Sequence, residues 1–556
     1  MFARRLLSVS RHPILPSSCL SCRTFCSVQQ SFDYGDFIPS IGLEVHAQIR
    51  SESKLFSSSP TTYCSPPNAN VSPFDAGLPG TLPVLNRHCL ESAIRTGLAL
   101  NCRISSESSF DRKHYFYADM PLGYQITQQA NPIARDGFLD FAVYHRLYHK
   151  DAYVKRSIIQ QVQLEQDSGK TLHDDDNDTL LIDLNRAGNP LVEIVFSPDL
   201  SDGEEAAALI RDLILLLRRI DTCVCKMEEG TLRVDANVSI RHRDEDRLGT
   251  RTEIKNLNSM RSIAKAIDYE IRRQTKLLLA GERVVNETMR FNVAKNETEV
   301  MRDKSDFADY RFMPEANLPF IRLKDSALRV NMHVADALDI NDFRKSMPDS
   351  PHEERVRLIQ KYDIDLKTAM QVQQHEQGKE LFLWVMDQDT SRKGSVVFRV
   401  IFTEMMAALE ACKLDLKDTS LEKEDVATLC DMVQRDEISC CVAQDILSMK
   451  MRREERSPQQ LIQDYGWDKI TDTDLIRVKC EEAIMAKSKR AKEVRNKGKK
   501  FAFDMLVLHV MTSLNRRVDL EVVEPILMEM LQPPQGMIKS GKERRAEREK
   551  EAAAKQ

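Results

Sequence analysis

Apolar and polar positions alternate with a period of two in several segments of the N-terminal half of the chain. In residues 41–49 (IGLEVHAQI), Leu43 and Val45 fall on one face, whereas Glu44 and His46 fall on the other. This pattern predicts a half-buried β-strand whose carboxylate and imidazole stand about 7 Å apart along the strand. Taken alone, the same alternation also fits a strand whose polar side faces solvent.

Three later segments repeat the alternation with charged residues on the polar face. These faces comprise Gln161, Gln163, Glu165 and Asp167 in residues 161–170, Arg233, Asp235, Asn237 and Ser239 in 232–240, and Arg251, Glu253 and Lys255 in 251–259. Charges of both signs on so many strands exceed what exposure to solvent requires. The four segments together predict a concave sheet with a polar lining.

Such a lining suits a phosphate-bearing ligand and a hard divalent cation. Carboxylates with one imidazole are ligands for Mg²⁺ or Mn²⁺, and Arg and Lys side chains pair with phosphate oxygens. In residues 110–129, Arg112 and Lys113 stand beside Tyr115 and Tyr117, a mixture able to stack on a base and pair with a phosphate. The same mixture also fits an ordinary strand with buried aromatic side chains.

Helical periodicity appears in residues 204–220 and 260–281, and it dominates from about residue 330 onward. Strand clusters with few helices, followed by a helical region, predict the α+β class. A chain of 556 residues is too long for one core. The predicted domains are a sheet domain at 37–322, a helical connecting domain at 323–412, a helical tail domain at 413–532 and a charged C-terminal tail at 533–556.

The first 32 residues differ in composition from the rest of the chain. They contain four arginines among many Ser and Leu, and no acidic residue precedes Asp33. This composition predicts a mitochondrial transit peptide at residues 1–32. No apolar run approaches the ~20 residues that a membrane-spanning helix needs, so no membrane insertion is predicted.

The net charge of −5 leaves a nucleic-acid partner open, because such binding depends on local basic patches. One patch lies at residues 486–500, where eight basic residues stand against one glutamate. This run fits a solvated helix face and a phosphate-binding surface equally well.

The thirteen cysteines are spaced irregularly, which argues against a disulfide framework. Cys223 and Cys225, and the Cys440–Cys441 doublet, lack a second pair at zinc-site spacing, so they are predicted to be core residues. The DSGKT segment is not a phosphate-binding P-loop, because Leu164 stands where that motif needs glycine. The chain also lacks a G-x-S-x-G elbow, and no hydrolytic nucleophile is predicted.

The motifs resemble those of the B subunits of tRNA-dependent amidotransferases, in the same order along the chain. The matching segments are IGLEVHAQI, SKLFS, PPNANV, LPGTLPVLN, FDRKHYFYAD, GYQITQQ, EQDSGK, DLNRAGNPLVEIV, MEEGTLRVDANVSIR, EIKNLNS and DYRFMPEANLP. The match is close from residue 41 to about 320. Beyond residue 330 it reduces to helical character and fragments such as NKGKK.

The resemblance implies an antiparallel-sheet cradle as the catalytic domain, followed by helical middle and tail domains. It also implies ATP-dependent phosphorylation, with Mg²⁺, of the glutamate γ-carboxylate on mischarged Glu-tRNA(Gln), and its amidation by glutamine-derived ammonia. The implied partners in a heterotrimer are the amidase, or A, subunit of the amidotransferase and its small C subunit, in the mitochondrial matrix. The alternative is a non-catalytic tRNA-binding scaffold in the same complex.

The resemblance also assigns residues. It implies Glu44, His46 and Glu165 as metal ligands and, with Asp167, as the catalytic group. Residues implied to bind ATP or substrate are Arg112, Lys113, Tyr115, Tyr117, Asn185, Arg186, Glu193, Glu228, Glu229, Arg233, Asp235, Asn237, Glu253, Lys255, Asn256 and Asn258. Those implied to bind tRNA in the tail are Lys497, Lys499 and Lys500.

The chain departs from the family pattern at three places. Many bacterial relatives have H-x-E-E-D-A-G-K where this chain has QLEQDSGK at 163–170, which changes the surroundings of the metal site. Relatives with a zinc knuckle have cysteines at the positions of Ser57, Ser59, Ser72 and Asp75, so no zinc is predicted. Asp504 and Leu508 replace glycines common in the tail of the family.

Overall fold

The computed structural model describes residues 35–145, 149–174, 176–302, 310–325, 338–419 and 421–532. The predicted transit peptide (1–32) and charged tail (533–556) lie outside these residues. The chain divides into two compact units, which we call the sheet unit (Met1–His352) and the helical unit (Glu353–Gln556). The domain boundaries predicted at 322/323 and 412/413 stay predictions.

The sheet unit contains all the strands of the described residues. They are β1 (Phe37–Gln48), β2 (Arg103–Ile104), β3 (Glu107–Ser108), β4 (Asp111–His114), β5 (Tyr124–Thr127), β6 (Ala134–His145), β7 (His149–Gln166), β8 (Lys170–Asp174), β9 (Thr179–Asp183), β10 (Pro190–Phe196), β11 (Leu232–His242), β12 (Thr252–Leu257), β13 (Thr288–Asn292), β14 (Glu297–Arg302), β15 (Met313–Pro314) and β16 (Ile321–Arg322).

Nine of these strands form one sheet in the order β14-β13-β12-β11-β1-β10-β7-β6-β2. Neighbouring strands are antiparallel except β12 and β13, which are parallel because helix α3 (Met260–Leu279) connects them as a crossover. Strand β4 pairs with β5 and β15 in a separate three-stranded sheet. The predicted α+β class is confirmed, with this one parallel pair in an otherwise antiparallel sheet.

The other helices of the sheet unit are α1 (Arg87–Ala99), α2 (Gly203–Arg219), α4 (Ile340–Lys345) and the start of α5 (Pro351–Tyr362). Local sequence fixes where the long helices begin: the Asp202 side chain accepts a hydrogen bond from the Glu205 amide, and Ser259 does the same for Ser262. Apolar side chains of α1, α2 and α3 share one core with the apolar side of the large sheet. The opposite, polar side of the sheet is left for the site.

The helical unit continues from α5 with helices only, among its described residues. They are α6 (Leu366–Gln374), α7 (Glu376–Gln388), α8 (Gly394–Phe398), α9 (Met406–Cys412), α10 (Lys423–Gln434), α11 (Cys440–Met451), α12 (Pro458–Tyr465), α13 (Thr473–Ala486), α14 (Ser488–Lys497), α15 (Lys500–Ser513) and α16 (Leu520–Leu531), with a π-helical turn at Arg399–Met405 and a 3₁₀ turn at Leu416–Asp418. One apolar core spans residues 358–462 and a second spans 476–531.

No helix in the described ranges has both the length and the apolar character needed to cross a bilayer.

Candidate functional site

Five adjacent strands bring the predicted polar faces together. In the register of the sheet, Glu44 on β1 lies opposite Asp235 on β11, and His46 lies opposite both Arg233 on β11 and Glu193 on β10. Strand β7 follows β10, and strand β12 follows β11. The period of two therefore places these side chains on one surface of the sheet.

Three of these side chains form a group that we call the acidic cluster: His46, Glu165 and Glu193. The Nε2 atom of His46 lies 3.9 Å from Oε1 of Glu165 and 3.8 Å from Oε1 of Glu193. Their potential ligand atoms all lie within 4.8 Å of one another. Glu44 instead accepts a hydrogen bond of 2.8 Å from Asn237. Sheet pairing thus puts Glu193 beside the two predicted ligands, with Glu44 at the edge of the group.

Burial and mutual repulsion perturb the two carboxyl groups of the acidic cluster. Burial raises the pKa of Glu165, and the neighbouring Glu193 raises it further, while Lys113 and His46 oppose the shift. Burial also raises the pKa of Glu193. The Oε2 atom of Glu165 is buried without a hydrogen-bond partner among the described residues. Oxygen and imidazole donors of this kind fit a hard divalent cation.

Lys113 is a basic side chain whose charge is coupled to the acidic cluster. Burial alone would lower the pKa of its ammonium, but Glu165 and Glu193 raise the pKa above its ordinary value. The ammonium also lies 5.1 Å from the ring centroid of Tyr310. Lys113 therefore keeps its positive charge next to the two carboxylates.

Further basic side chains lie along the rim. The guanidinium of Arg233 lies 2.8 Å from Oδ2 of Asp167, and this carboxylate is the main cause of a raised pKa at Arg233. Lys255 lies 3.0 Å from Glu253 and 3.6 Å from Asp235. The pKa values of both side chains are raised above their ordinary values, so both stay charged at neutral pH.

Two cavities open on this part of the sheet unit. The smaller, of about 190 Å³, is lined by His46, Gln125, Glu165, Asp167, Ser168, Leu191, Arg233, Asp235, Lys255 and Asn256. The larger, of about 890 Å³, has aromatic walls that include Tyr115 and Tyr310, with Lys113 and Lys255 among its lining residues. Lys255 lines both cavities, so the two are neighbours.

Several of the implied site residues have other partners. Arg112 forms two hydrogen bonds with Glu315, of 2.6 and 2.9 Å, and its guanidinium lies over the ring of Tyr124. Asn185 accepts from the amide of Asn70 and donates to the carbonyl of Pro66. These contacts tie loops and strands together, and neither Arg112 nor Asn185 lines either of the two cavities.

The remaining implied residues divide in the same way, and Arg186, which lines neither cavity, has its Nε atom 3.5 Å from Oδ2 of Asp167. Asn256, whose amide donates to Asp235, lines the smaller cavity, whereas Tyr117 lines the larger one. Glu229 pairs with Lys226 at 2.7 Å, and none of Glu228, Glu229 and Asn258 lines either cavity. Gln125, which lines the smaller cavity, was missed because its short strand β5 belongs to another sheet.

The basic run of the helical unit spans α14 and the start of α15. The Nζ atom of Lys499 lies 3.8 Å from Glu493, Lys500 begins α15, and the side chain of Lys497 lies outside the described part of the structure. Next to these lysines, Phe501 is exposed, and the guanidinium of Arg490 lies 5.5 Å from its ring centroid. The role of this run in tRNA binding stays a prediction.

Comparison with known proteins places this arrangement in a family. Residues 39–329 match the GatB/GatE catalytic domain, and residues 382–531 match the GatB domain. An Aedes aegypti protein, named as the mitochondrial B subunit of glutamyl-tRNA(Gln) amidotransferase, is 42% identical over 494 residues, which cover 88% of this chain and 92% of that protein.

Two further relatives are similar over the same share of this chain. The Homo sapiens protein with that name is 41% identical over 492 residues, 88% of each chain. The Rickettsia typhi protein, named as the B subunit of aspartyl/glutamyl-tRNA(Asn/Gln) amidotransferase, is 37% identical over 491 residues, which cover 88% of this chain and 97% of that protein. The resemblance inferred from the motifs is confirmed, and the chain belongs to the B-subunit family of the tRNA-dependent amidotransferases.

Proposed function

We propose that this chain is the ATP-using subunit of a mitochondrial glutamyl-tRNA(Gln) amidotransferase. In the proposed reaction, the γ-carboxylate of glutamate on mischarged tRNA(Gln) attacks the γ-phosphorus of ATP, and ADP leaves. Ammonia then attacks the carbonyl carbon of the acyl phosphate, the C–O bond to phosphate breaks, and loss of a proton gives the amide of Gln-tRNA(Gln). Phosphorylation is needed because a free carboxylate is a poor acyl donor.

The observation that carries this proposal is the grouping of opposite charges on one face of the sheet. The acidic cluster lies beside Lys113, and the Arg233–Asp167 pair lies on the same surface. Phosphoryl transfer needs positioned reactants and neutralised charge, with no nucleophilic side chain from the protein. A pre-arranged set of cations around carboxylates is suited to that task.

The acidic cluster would hold Mg²⁺, with Glu44 as a further predicted ligand. Support comes from the partnerless Oε2 atom of Glu165, among the described residues, and from the oxygen-rich donor set. A bound Mg²⁺ supplies neutralisation of phosphate charge. In our proposal Lys113, Arg233 and Lys255 bind phosphate oxygens, and Asp167 orients Arg233.

The larger cavity would receive a nucleobase of ATP or of the tRNA. Its volume of about 890 Å³ and its aromatic side chains, Tyr115 and Tyr310, suit stacking on a nucleobase. Lys113 on its lining would link the bound nucleotide to the acidic cluster. The basic run that contains Lys497, Lys499 and Lys500 would contact the tRNA backbone.

The partners follow from the same proposal. Ammonia would come from the amidase, or A, subunit of the complex, and the small C subunit would complete a heterotrimer. The mitochondrial names of relatives from Aedes aegypti and Homo sapiens support action on mitochondrial tRNA, and the composition of residues 1–32 supports import to the matrix.

The test is ATP consumption by the purified complex in the presence of mischarged Glu-tRNA(Gln), glutamine and Mg²⁺. Wild type is expected to form ADP and Gln-tRNA(Gln) in equal amounts, and Glu165→Ala is expected to form neither. Glu297→Gln, which alters an exposed glutamate of β14, serves as the control. Full turnover by Glu165→Ala would refute the proposed site.

The alternative function, a tRNA-binding scaffold without catalysis, rests on the QLEQDSGK departure from the family pattern. It predicts that Glu165→Ala leaves both ATP consumption and amidation unchanged while deletion of the chain abolishes tRNA binding by the complex. The same measurement therefore separates the two functions.

A further inference from the structure

A fully buried ion pair, Lys54 with Asp75, lies outside the lining of both cavities. The side chains of Lys54 and Asp75 are 0% and 1% exposed, and Nζ lies 3.2 Å from Oδ2. Nζ also donates to the carbonyls of Asn70, at 2.7 Å, and Leu184, at 3.4 Å. An ammonium has three donors, and here each of the three has an acceptor.

The Asp75 carboxylate is equally well satisfied. Ser57 Oγ lies 3.0 Å from Oδ1, and the Ser72 amide donates to Oδ2 at 2.9 Å. Burial lowers the pKa of Lys54, and Asp75 opposes that shift. The pair is therefore hydrogen-bonded on both sides, and it joins residues 54–75 to Leu184.

The Lys54–Asp75 pair packs against Gly188, whose backbone is hydrogen-bonded to Asp167. Gly188 has φ +83°, and a Cβ there would lie 2.8 Å from Oδ1 of Asp75 and 3.4 Å from Cδ of Lys54. The Gly188 amide donates to the Asp167 carbonyl at 2.8 Å, and the Asn189 carbonyl accepts from the Asp167 amide at 2.9 Å. The amide and the carbonyl of Asp167 are thus both held by residues 188–189, and Gly188 of this segment packs on Lys54 and Asp75.

We propose that the Lys54–Asp75 pair positions Asp167, and through it Arg233, for binding of the phosphates of ATP. This inference rests on the proposed function. The Asp167 carboxylate holds the Arg233 guanidinium at 2.8 Å. A shift of residues 188–189 would move Asp167 and, with it, the Arg233 guanidinium. A buried pair is a poor source of stability, since apolar side chains of similar volume replace it at little cost. Its directional bonds are what apolar side chains cannot reproduce.

The deciding variant removes both charges, because a single substitution would leave one uncompensated charge buried. Lys54→Met/Asp75→Leu is expected to keep the thermal midpoint within about 5 °C of wild type. The KM for ATP in the complex is expected to rise about tenfold, as on loss of outer-shell partners, and the KM for Glu-tRNA(Gln) to stay unchanged. Asp75→Asn keeps the shape of the side chain but leaves the Lys54 charge uncompensated, so both a lower thermal midpoint and a raised KM for ATP are expected.

The control is Lys155→Met/Glu205→Leu, which removes a partly buried pair of the sheet unit, with Nζ 2.6 Å from Oε2 and side chains 18% and 1% exposed. Lys155 precedes Glu165 by ten residues on β7, about 30 Å along the strand. This control is expected to leave the KM for ATP unchanged.

Three outcomes would overturn the inference. An unchanged KM for ATP in both Lys54→Met/Asp75→Leu and Asp75→Asn would make the pair purely structural. An equal rise in the control would mean that any lost buried pair has the same effect. A wild-type complex that consumes no ATP would instead overturn the proposed function, and this inference with it.

Discussion

Oε1 of Glu193 lies 3.8 Å from Nε2 of His46, across the antiparallel pairing of β10 with β1. The two residues are 147 positions apart in the sequence, so only the strand order brings them together. Strand β10 also lies between β1 and β7, which makes Glu193 the link from His46 to Gln163 and Glu165. Glu193 therefore belongs with the metal-binding candidates, a role that the family resemblance left open.

The first prediction concerns this residue. Glu193→Gln removes one charged oxygen donor from the acidic cluster, so the Mg²⁺ concentration for half-maximal ATP consumption is expected to rise at least about tenfold. Glu297→Gln, at an exposed position of β14, is expected to leave that concentration at the wild-type value. An unchanged Mg²⁺ requirement in Glu193→Gln would exclude Glu193 as a ligand.

The sequence predicted the strands of this face better than their arrangement. Alternation with a period of two is a local property, so it located β1, β7, β11 and β12 and the side on which Glu44, His46 and Glu165 lie. Strand order depends on pairing between distant segments, which no local pattern specifies. The position of Glu193 next to His46 could therefore be read only from the sheet.

The second prediction is a pH-dependent gain in stability on loss of Glu165. Because the pKa of Glu165 is raised in the folded protein above its ordinary value of 4.5, the fold binds this proton more tightly than the unfolded chain does. The resulting stabilisation is present below pH 4.5 and is lost as pH rises through the folded pKa. Above pH 4.5, where the unfolded chain ionises, this carboxyl group therefore contributes less to folding than it does in acid.

Glu165→Gln is expected to raise the thermal midpoint at pH 7.5 without divalent cations, and to have a much smaller effect at pH 4, since the wild-type group is then protonated. Melting curves at the two pH values test this. Added Mg²⁺ is expected to stabilise wild type more than the variant, because the cation binds the folded cluster. A lower midpoint for Glu165→Gln at pH 7.5 would contradict the assigned direction.

The third prediction concerns Lys113, which faces the acidic cluster. Lys113→Met removes the cation that Glu165 and Glu193 hold in its charged state. The kcat for ATP consumption is expected to fall about 100-fold, as on loss of one preorganised electrostatic contact. Lys295→Met, which breaks the exposed 3.0 Å pair with Glu299, is the control. If Lys113→Met kept the wild-type kcat, Lys113 would not be part of the proposed site.

Arg112 and Lys113 show why composition alone could not assign the aromatic-basic segment. The two residues are neighbours on β4, so their side chains point to opposite sides of that strand. The charge of Lys113 is coupled to Glu165 and Glu193, whereas Arg112 bonds to Glu315 and lies over the ring of Tyr124. The residue types in the segment suggested that Arg112 and Lys113 both bind a ligand. Which of the two side chains points toward the candidate site depends on the pairing of β4 with β5 and β15.

The fourth prediction separates these two roles. Arg112→Gln is expected to reduce the free energy of unfolding of the sheet unit by about 3 kcal/mol, because the Glu315 side chain is 0% exposed and loses its charged partner. Urea unfolding measures the loss. The KM for ATP of the folded variant is expected to stay within about twofold of wild type, since Arg112 lines neither cavity.

The pH dependence of this loss has a defined sign. Burial alone would raise the pKa of Glu315, but the Arg112 guanidinium brings it below the ordinary value of 4.5. The stabilisation is therefore present above pH 4.5 and is lost as pH falls through the folded pKa, so the difference between wild type and Arg112→Gln should shrink in acid. Arg103→Gln, which breaks an exposed pair with Asp136, should change stability by less than about 1 kcal/mol at either pH. If the Arg112→Gln protein were as stable as wild type but had a raised KM for ATP, Arg112 would instead be a nucleotide-binding residue.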